Sequence, residues 1–437
     1  MPMSTGFEKR LFPIVAQLVK HYGDPFHIYD WVGIEDHVRQ LQMTFRGVEG
    51  WRNYFAAKAL PNPTILARLH QMGMGLDCSS VPELKFARQI GAAPGDIMFT
   101  SNNTTVAEFE EAQGEGGCIL NLDDITLIDK VPEPFPSTIC FRYNPGSRRT
   151  TSNEIIGNPT KSKYGVPHER IKEAYTRARE RGAWRYGIQT MLVSNELDHK
   201  FMVGTFVMLN DVSQMVGQEL GITFDFINIG GGFGIPYRPH EKVFDWAVFA
   251  AEAGNLQEML HGRTGHTPKL YTESGRAITG PHGVLVATVA NRMSKYVEIR
   301  GLTASMPDLM RPGMYGDDDP KTGEQKSGHH HITVLSPDGI PKTGPQEVVN
   351  VTGSLCEGND VFALQRELPV MEEGDIVIIH DTGAHGHAMG FNYNGRLRPK
   401  ELLLQSNGKV ELIRRAERFD DYTRTLRFEP NIFAPAA

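Results

Sequence analysis

Residues 53–60 of the chain read NYFAAKAL, and residues 63–73 read PTILARLHQMG. The first segment is a short apolar run typical of a β-strand, and the second has the apolar spacing of a helix that begins with proline. This order of strand and helix returns as far as residue 280, with eight predicted strands, most of them followed by a helix. The other predicted strand segments are MGLDCSS (74–80), DIMFTSNN (96–103), GCILNLDD (117–124), STICFRYNPG (137–146), GIQTMLVSNE (187–196), DFINIGGGFG (225–234) and PKLYTESGR (268–276).

Such alternation predicts a parallel sheet, which is either open and doubly wound or closed into a (β/α)₈ barrel. Several of the predicted strands end in polar or reactive residues. In a barrel all of these ends face one rim, where the active sites of barrel enzymes lie. We therefore expect the barrel. The strand-end residues are Lys58, Asp77, Ser194, Gly230 and Glu273.

The sequence changes character after residue 280. Segments such as QEVVNVTGS (346–354) and DIVIIHDTG (375–383) are rich in β-branched residues and are separated by turn signals. This pattern predicts a mostly antiparallel β domain. The expected domains are an N-terminal helical segment (1–25) that packs on the β domain, an α/β barrel (26–280) and the β domain itself (281–437).

The composition excludes several classes of protein. With 40% hydrophobic and 22% charged residues among 437, the chain is neither disordered nor a coiled coil. A formal net charge of −7 argues against nucleic acid or an anionic membrane as a partner, and no apolar run is long enough to span a bilayer. The four cysteines are far apart and form no CxxC pair. We expect a cytoplasmic enzyme, because such cysteine usage is typical of a reducing compartment.

Lys58 directly follows an apolar strand and stands between two alanines. Burial disfavours the ammonium form of a lysine and frees the amine to attack an aldehyde. The alternative is a lysine at a strand end whose stem is buried while its amine reaches solvent. This residue alone does not decide between the two.

Three glycines, Gly230–Gly232, close the predicted strand FINI. Glycines let the backbone approach a ligand and turn its N–H groups toward an anion such as a phosphate. The segment is not GxGxxG and no acid follows about 20 residues later, which argues against a dinucleotide. A tight turn with close packing is the alternative reading.

Two acidic segments could carry catalytic groups. A carboxylate at Glu273 could keep a heteroaromatic ring nitrogen protonated, or form a salt bridge at the barrel rim. Cys356 precedes Glu357 in LCEGND and could donate a proton or be a small buried residue. The histidines at 329–331, 385 and 387 suggest zinc, but neither HExxH nor a paired CxxC accompanies them, so we expect no metal site.

In this order, the segments resemble the fold type III pyridoxal-phosphate decarboxylases, the family of ornithine and diaminopimelate decarboxylases. The resemblance extends from about Phe26 to Leu404, and the spacing of its last segments favours the diaminopimelate branch. It implies an alanine-racemase-like barrel, pyridoxal 5'-phosphate as cofactor, and a homodimer with shared active sites. The matching segments are YFAAKAL, INIGGGFG, ESGR, MRPGMYG, LCEGND and DTGAHGHAMGFNYNGRLRP.

The same resemblance implies roles for individual residues. Lys58 would bond the cofactor aldehyde, Glu273 would pair with the ring nitrogen, and Cys356 would protonate the decarboxylated carbon across a dimer interface. The residues implied for the cofactor phosphate and pocket are Ser194, Gly230, Gly231, Gly232, Gly275, Arg276 and Tyr393. The residues implied for the substrate are Arg276, Arg311, Tyr315, Glu357 and Tyr393.

The chain departs from the family pattern at four positions. Ser274 replaces the proline of EPGR, and Met191 replaces a histidine that stacks on the cofactor ring. Gly358 replaces the serine of Cys-Glu-Ser, and His385 replaces the tyrosine of Gly-Ala-Tyr. These departures leave the cofactor chemistry intact and bear on how the distal end of the substrate is recognised.

The leading expectation is therefore a lyase of lysine biosynthesis that converts meso-diaminopimelate to L-lysine and carbon dioxide. A first alternative is a decarboxylase of a related substrate, such as ornithine, lysine, a D-amino acid or a precursor in specialised metabolism. A second is a non-catalytic homologue that binds the cofactor or a partner, against which the presence of Lys58, Glu273 and Cys356 argues.

Overall fold

The computed structural model describes residues 3–149, 158–318, 325 and 327–427. The chain divides into two compact units. The first comprises Met1–Phe7, Asp30–Gly283 and Gly383–Ala388, and the second comprises Glu8–Tyr29, Val284–Thr382 and Met389–Ala437.

The described residues form strands and α-helices as follows. The strands are β1 (Phe26–Asp30), β2 (Arg52–Ala56), β3 (Gly75–Cys78), β4 (Ile97–Ser101), β5 (Ile119–Leu122), β6 (Thr138–Asn144), β7 (Val166–Pro167), β8 (Arg185–Gln189), β9 (Phe224–Asn228), β10 (Lys269–Thr272), β11 (Gly283–Ser294), β12 (Glu298–Leu302), β13 (Ile332–Leu335), β14 (Gln346–Thr352), β15 (Val361–Pro369), β16 (Ile376–Ile379), β17 (Lys400–Leu404) and β18 (Val410–Arg414). The helices are α1 (Thr5–Tyr22), α2 (Trp31–Thr44), α3 (Pro63–Gln71), α4 (Val81–Gln89), α5 (Val106–Gln113), α6 (Ile171–Glu180), α7 (His199–Leu220), α8 (Trp246–Thr264), α9 (Arg276–Thr279), α10 (Arg311–Tyr315) and α11 (Phe419–Thr423).

The first unit is built on a closed parallel barrel, which confirms the predicted fold. Its strands are adjacent in the order β5-β4-β3-β2-β10-β9-β8-β6, and pairing of β5 with β6 closes the ring. The strands are short and almost wholly buried, as expected where helices cover a parallel sheet. Part of the interior is filled by a cluster of mainly large side chains, Tyr54, Met98, Cys140, Phe226 and Tyr271.

Local signals fix where the barrel helices begin and end. Thr105 and Glu108 form a reciprocal capping box at the start of α5, with the Thr105 N–H donating to the Glu108 carboxylate at 2.8 Å. Helix α7 ends at Gly221, whose φ of 66° is the left-handed conformation that glycine adopts most readily. These caps set where α5 begins and α7 ends, while the parallel pairing of the strands brings their carboxyl ends to one rim.

The second unit is a mostly antiparallel sheet with the strand order β15-β14-β12-β11-β1-β17-β18, and β16 pairs with both β11 and β13. Its core is formed by aliphatic side chains from several strands, among them Leu285, Val334, Val351, Phe362 and Val377. Strand β1 lies in this sheet, although the sequence analysis places residues from 26 onward in the barrel. A short, fully buried strand such as FHIYD has the same pattern in either sheet, so the sequence could not separate them.

The histidines that suggested zinc are divided between the units, since residues 329–331 lie in the second unit and His385 and His387 lie in the first. His330 Nδ1 lies 2.7 Å from the His380 carbonyl oxygen, and the rings of His331 and His380 meet edge to face at 4.8 Å. Within the part of the chain that the structure describes, no group of three or more His, Cys, Asp or Glu is arranged to hold a metal ion. None of the helices in that part is long and apolar enough to cross a membrane.

Candidate active site at the barrel rim

Four strand ends bring the polar residues of the first unit together. Lys58 follows β2 in a short turn, Asp77 lies on β3, Asn228 ends β9, and Glu273 directly follows β10. They converge because the carboxyl ends of parallel barrel strands share one rim. Of the predicted site residues, Lys58 and Glu273 therefore line the same cavity.

The rim contains two neighbouring cavities, of about 270 Å³ and about 40 Å³. Both are lined by Lys58, Asp77, Met191 and Glu273. The larger cavity is also lined by Ser79, Thr100, Ser101, Asn102, Asp123, Arg142, Tyr164 and Gln189. The smaller is also lined by Ala56, Ser194, Gly231, Gly232, Phe233, Gly275, Arg276 and His385.

Lys58 is exposed at the rim, although Ala57 and Ala59 on either side are buried. The sequence analysis left open whether this amine is buried or reaches solvent, and the exposed side chain agrees with the second alternative. Strand β2 ends at Ala56, and the turn Ala57–Ala59 carries the lysine into the open cavity. Its amine reaches the cavity because the strand ends at Ala56.

Glu273 is the most strongly perturbed acid of the rim. Burial first and the charge of Asp77 second raise the pKa of its carboxyl group, which reaches about 8 although Lys58 lowers it. Asn228 Nδ2 donates to Oε1 at 2.8 Å, and Gln189 Nε2 donates to Oε2 at 2.9 Å. The side chain is thus fixed and holds a proton at neutral pH unless a cation lies beside it.

Asp77 is the second buried acid. Burial raises the pKa of its carboxyl group, and the nearby charge of Lys58 opposes this shift. Its Oδ1 atom has no hydrogen-bond partner among the described residues. A buried oxygen of this kind, on the wall of a cavity, is available to accept a hydrogen bond from a bound ligand.

The three predicted glycines form a sharp loop after β9. Gly230 and Gly232 have φ of 74° and 94°. A Cβ atom would lie 2.3 Å from the Thr190 carbonyl oxygen at Gly230, and 2.7 Å from the Glu273 carbonyl oxygen at Gly231. Only glycine fits here, so the backbone itself forms the wall of the smaller cavity, as in phosphate-binding loops.

Other predicted cofactor residues surround this glycine loop. Ser194, Gly275 and Arg276 line the smaller cavity. The Arg276 guanidinium donates to the Tyr237 hydroxyl and lies 5.8 Å from the centre of the Tyr237 ring. A hydroxyl, a guanidinium and close backbone together form a surface suited to an anion.

Arg142 is a rim residue that sequence reasoning missed. It is buried, forms an ion pair with Asp123 at 3.4 Å, and lies 4.2 Å from the centre of the Tyr164 ring. It also donates to the Met191 carbonyl at 3.4 Å. Its position in β6, between buried neighbours, was the available signal, because an arginine there needs a charged partner.

The remaining predicted residues lie in the second unit. Cys356 is exposed, and its backbone N–H donates to Asn394 Oδ1 at 2.8 Å. Tyr393, 49% exposed, forms a hydrogen bond with the Glu357 carboxylate, which raises the pKa of the tyrosine. The structure therefore brings Cys356, Glu357 and Tyr393 together within this unit.

Arg311 and Tyr315 are the two ends of helix α10. An Nη atom of Arg311 donates to the His329 carbonyl at 2.9 Å, and the Tyr315 carbonyl accepts from Ser327 Oγ at 2.6 Å. The amide of Asn359 donates to the Gly313 carbonyl at 3.3 Å. This contact connects α10 to the loop that carries Cys356 and Glu357.

Comparisons with known proteins agree with this geometry. Residues 33–280 match the family described as "Pyridoxal-dependent decarboxylase, pyridoxal binding domain". The chain is 44% identical over 437 residues to Protein TabA of Pseudomonas amygdali pv. tabaci, covering 100% of this chain and 99% of the relative. It is 32% identical over 413 residues to the diaminopimelate decarboxylase of Methanothermobacter thermautotrophicus, covering 94% and 93%.

A solved structure shows the same fold. The diaminopimelate decarboxylase of M. jannaschii in co-complex with L-lysine superimposes with a TM-score of 0.83 at 26% identity, and the match covers 95% of each chain. The family match covers residues 33–280, and the relative at 32% identity covers 94% of the chain. The chain therefore belongs to the fold type III pyridoxal-phosphate-dependent decarboxylases, in the branch of the diaminopimelate decarboxylases.

Proposed function

We propose that the chain decarboxylates meso-diaminopimelate and forms L-lysine and carbon dioxide. Helix α10 carries this choice of substrate, since it contains Arg311 and Tyr315, two of the three residues that the family resemblance assigns to a distal carboxylate; the third is Arg276. The Arg311 guanidinium is half-buried and oriented by a backbone carbonyl, as a charge-assisted carboxylate contact requires. Relatives named diaminopimelate decarboxylase, one of them crystallised with L-lysine, support the proposal.

The cofactor of the family is pyridoxal 5'-phosphate, and the rim residues fit it. The glycine loop 230–232 has no room for side chains and suits a phosphate, while Lys58 supplies the amine for the aldehyde. Glu273, buried and held by two amide donors, suits a ring nitrogen. When bound, the cofactor supplies the electron sink for the carbanion that remains after carbon dioxide leaves.

The chain's own residues hold and move the protons. The Glu273 carboxyl, whose pKa is raised to about 8, would share its proton with the ring nitrogen and so keep the ring cationic. The exposed thiol of Cys356 would deliver a proton to the former α-carbon. Glu357, already hydrogen-bonded to Tyr393, would receive the distal ammonium of the substrate.

A homodimer with shared active sites is part of this proposal. Cys356, Glu357 and Tyr393 are all exposed in the second unit, where a second copy of the chain could use them. Closed twofold symmetry is the commonest arrangement for such oligomers and would make both sites equivalent.

The proposal is tested by a steady-state assay with meso-diaminopimelate beside L- and D-ornithine and L- and D-lysine. We expect carbon dioxide and L-lysine from the first compound, and none from the K58A variant. Borohydride reduction followed by peptide mapping should place a pyridoxyl adduct on Lys58. An adduct without lysine formation would retain the cofactor assignment and reject the substrate.

A second candidate is a decarboxylase of a related amino acid used in specialised metabolism. Gly358 removes a hydroxyl beside Glu357, and Met191 replaces a ring-stacking histidine at a position that lines both cavities. The relative at 44% identity is named Protein TabA and not diaminopimelate decarboxylase. In the same assay, turnover of another amino acid in preference to meso-diaminopimelate would favour this candidate.

A further inference from the structure

Asn228 connects the two halves of the proposed cofactor site through one side chain. It is the last residue of β9 and is fully buried. Its Oδ1 atom accepts from the Gly230 N–H at 2.9 Å, and its Nδ2 atom donates to Glu273 Oε1 at 2.8 Å. The amide orientation is fixed by these partners, because an N–H needs the oxygen and a carboxylate needs the nitrogen.

A backbone hydrogen bond also joins Glu273 directly to Gly230. The Glu273 N–H donates to the Gly230 carbonyl oxygen at 2.8 Å. Gly230 is therefore held on both sides of its α-carbon, by Asn228 through its N–H and by Glu273 through its carbonyl. Its φ of 74° and the carbonyl of Thr190, 2.3 Å from where a Cβ would lie, show that only glycine fits at this position. The direction of the glycine loop thus depends on Asn228.

Gln189 provides the natural comparison. It is equally buried, pairs directly with Asn228 in the β8–β9 register, and donates to the other Glu273 oxygen at 2.9 Å. Its own Oε1 has no hydrogen-bond partner among the described residues. Gln189 and Asn228 each hold one oxygen of Glu273, but the amide contacts recorded in the structure connect only Asn228 to the glycine loop.

We infer that Asn228 is a positioning residue that makes the ring-nitrogen acid and the phosphate-binding loop one structural unit. Loss of Asn228 should therefore weaken binding of the cofactor ring by Glu273 and binding of the cofactor phosphate by the glycine loop. Loss of Gln189 should weaken only binding of the ring. This inference rests on the proposed roles of Glu273 and of the glycine loop toward the cofactor.

The test compares two ligands in two nearly isosteric variants, N228L and Q189M, prepared as cofactor-free protein from the full-length enzyme. Dissociation constants are measured spectroscopically for pyridoxal 5'-phosphate and for pyridoxal, which lacks the phosphate. We expect both variants to bind pyridoxal about tenfold more weakly, as for loss of one hydrogen bond to a charged group. The preference for the phosphorylated ligand is the ratio of the dissociation constant for pyridoxal to that for pyridoxal 5'-phosphate. Only N228L should also lower this ratio, by about tenfold or more.

Each outcome has a stated meaning. An unchanged preference in N228L, or an equal loss of preference in Q189M, would overturn the inference. If circular dichroism shows that N228L is unfolded, the same ratio is measured in N228A, which removes both contacts with less bulk and should show the same loss. Failure of the proposed cofactor roles, on which the inference rests, would instead be seen in the unmodified protein, as no preference for the phosphorylated ligand and no borohydride adduct on Lys58.

Discussion

Replacing Glu273 with glutamine should abolish most activity and at the same time change how stability depends on pH. The glutamine keeps the shape of the side chain but cannot exchange a proton with a ring nitrogen. Loss of one preorganised electrostatic group of this kind lowers kcat by about a hundred- to a thousand-fold. The stability effect is more specific, because it follows from the raised pKa of this one carboxyl.

The sign and size of that effect follow from the structure. In the folded, cofactor-free protein burial raises the pKa of Glu273 from 4.5 to about 8. Between these values the folded state holds a proton that the unfolded state has lost, so the free energy of unfolding falls as pH rises. At about 1.4 kcal/mol for each pH unit, this amounts to a loss of about 5 kcal/mol between pH about 4.5 and 8.

The measurement is a urea denaturation series of cofactor-free wild type and E273Q between pH about 5 and 8.5. For each pH we take the difference in the free energy of unfolding between wild type and E273Q, and we follow how this difference changes with pH. Any fixed cost of burying the glutamine amide cancels in that change. E110Q, at an exposed glutamate on α5, is the matched control and should follow wild type. A difference between E273Q and wild type that stays constant across this range would refute the reasoning.

Three further predictions concern residues of the second unit and the sharing of active sites between two subunits. R311A should weaken transition-state binding of meso-diaminopimelate by about 2 to 4 kcal/mol, as for loss of a buried charge-assisted contact; kcat/KM within error of wild type would favour the related substrate. Mixing inactive K58A and C356A proteins should restore about a quarter of wild-type activity if two subunits share each site, whereas no recovery after subunit exchange would contradict a shared site. Burial lowers the pKa of His27 to about 4 and of His380 to about 3. Their stabilising contribution is therefore complete above pH about 6.5 and is lost as pH falls toward those values, by about 3 to 5 kcal/mol each; H380N should remove part of this acid sensitivity in a denaturation series, and an unchanged slope would reject it.

The barrel strands could be predicted from the sequence because each has an apolar run that ends in small polar residues. Lys58 and Glu273 were predicted for the same reason, since strand ends of a barrel face one rim. The contacts of Glu273 with Gln189 and Asn228 could not be predicted. They depend on β8, β9 and β10 being neighbours in a closed ring with a particular register.

The environment of Lys58 also required the structure. The sequence shows a lysine between alanines, and this pattern is the same whether its amine is buried or exposed. The strand ends at Ala56, two residues before Lys58, and the turn Ala57–Ala59 exposes the side chain. Similarly, nothing in the sequence around Tyr393 indicates that its side chain forms a hydrogen bond with Glu357, because the two residues belong to separate loops of the second unit.

The place of β1 has a consequence for how the protein is made. This strand is synthesised before every strand of the barrel, yet in the finished sheet it lies between β11 and β17. Its second neighbour, Lys400–Leu404, is synthesised after the whole barrel. Strand β1 therefore has neither of its sheet partners while the barrel is translated, and an unpaired strand edge is prone to aggregation during that period.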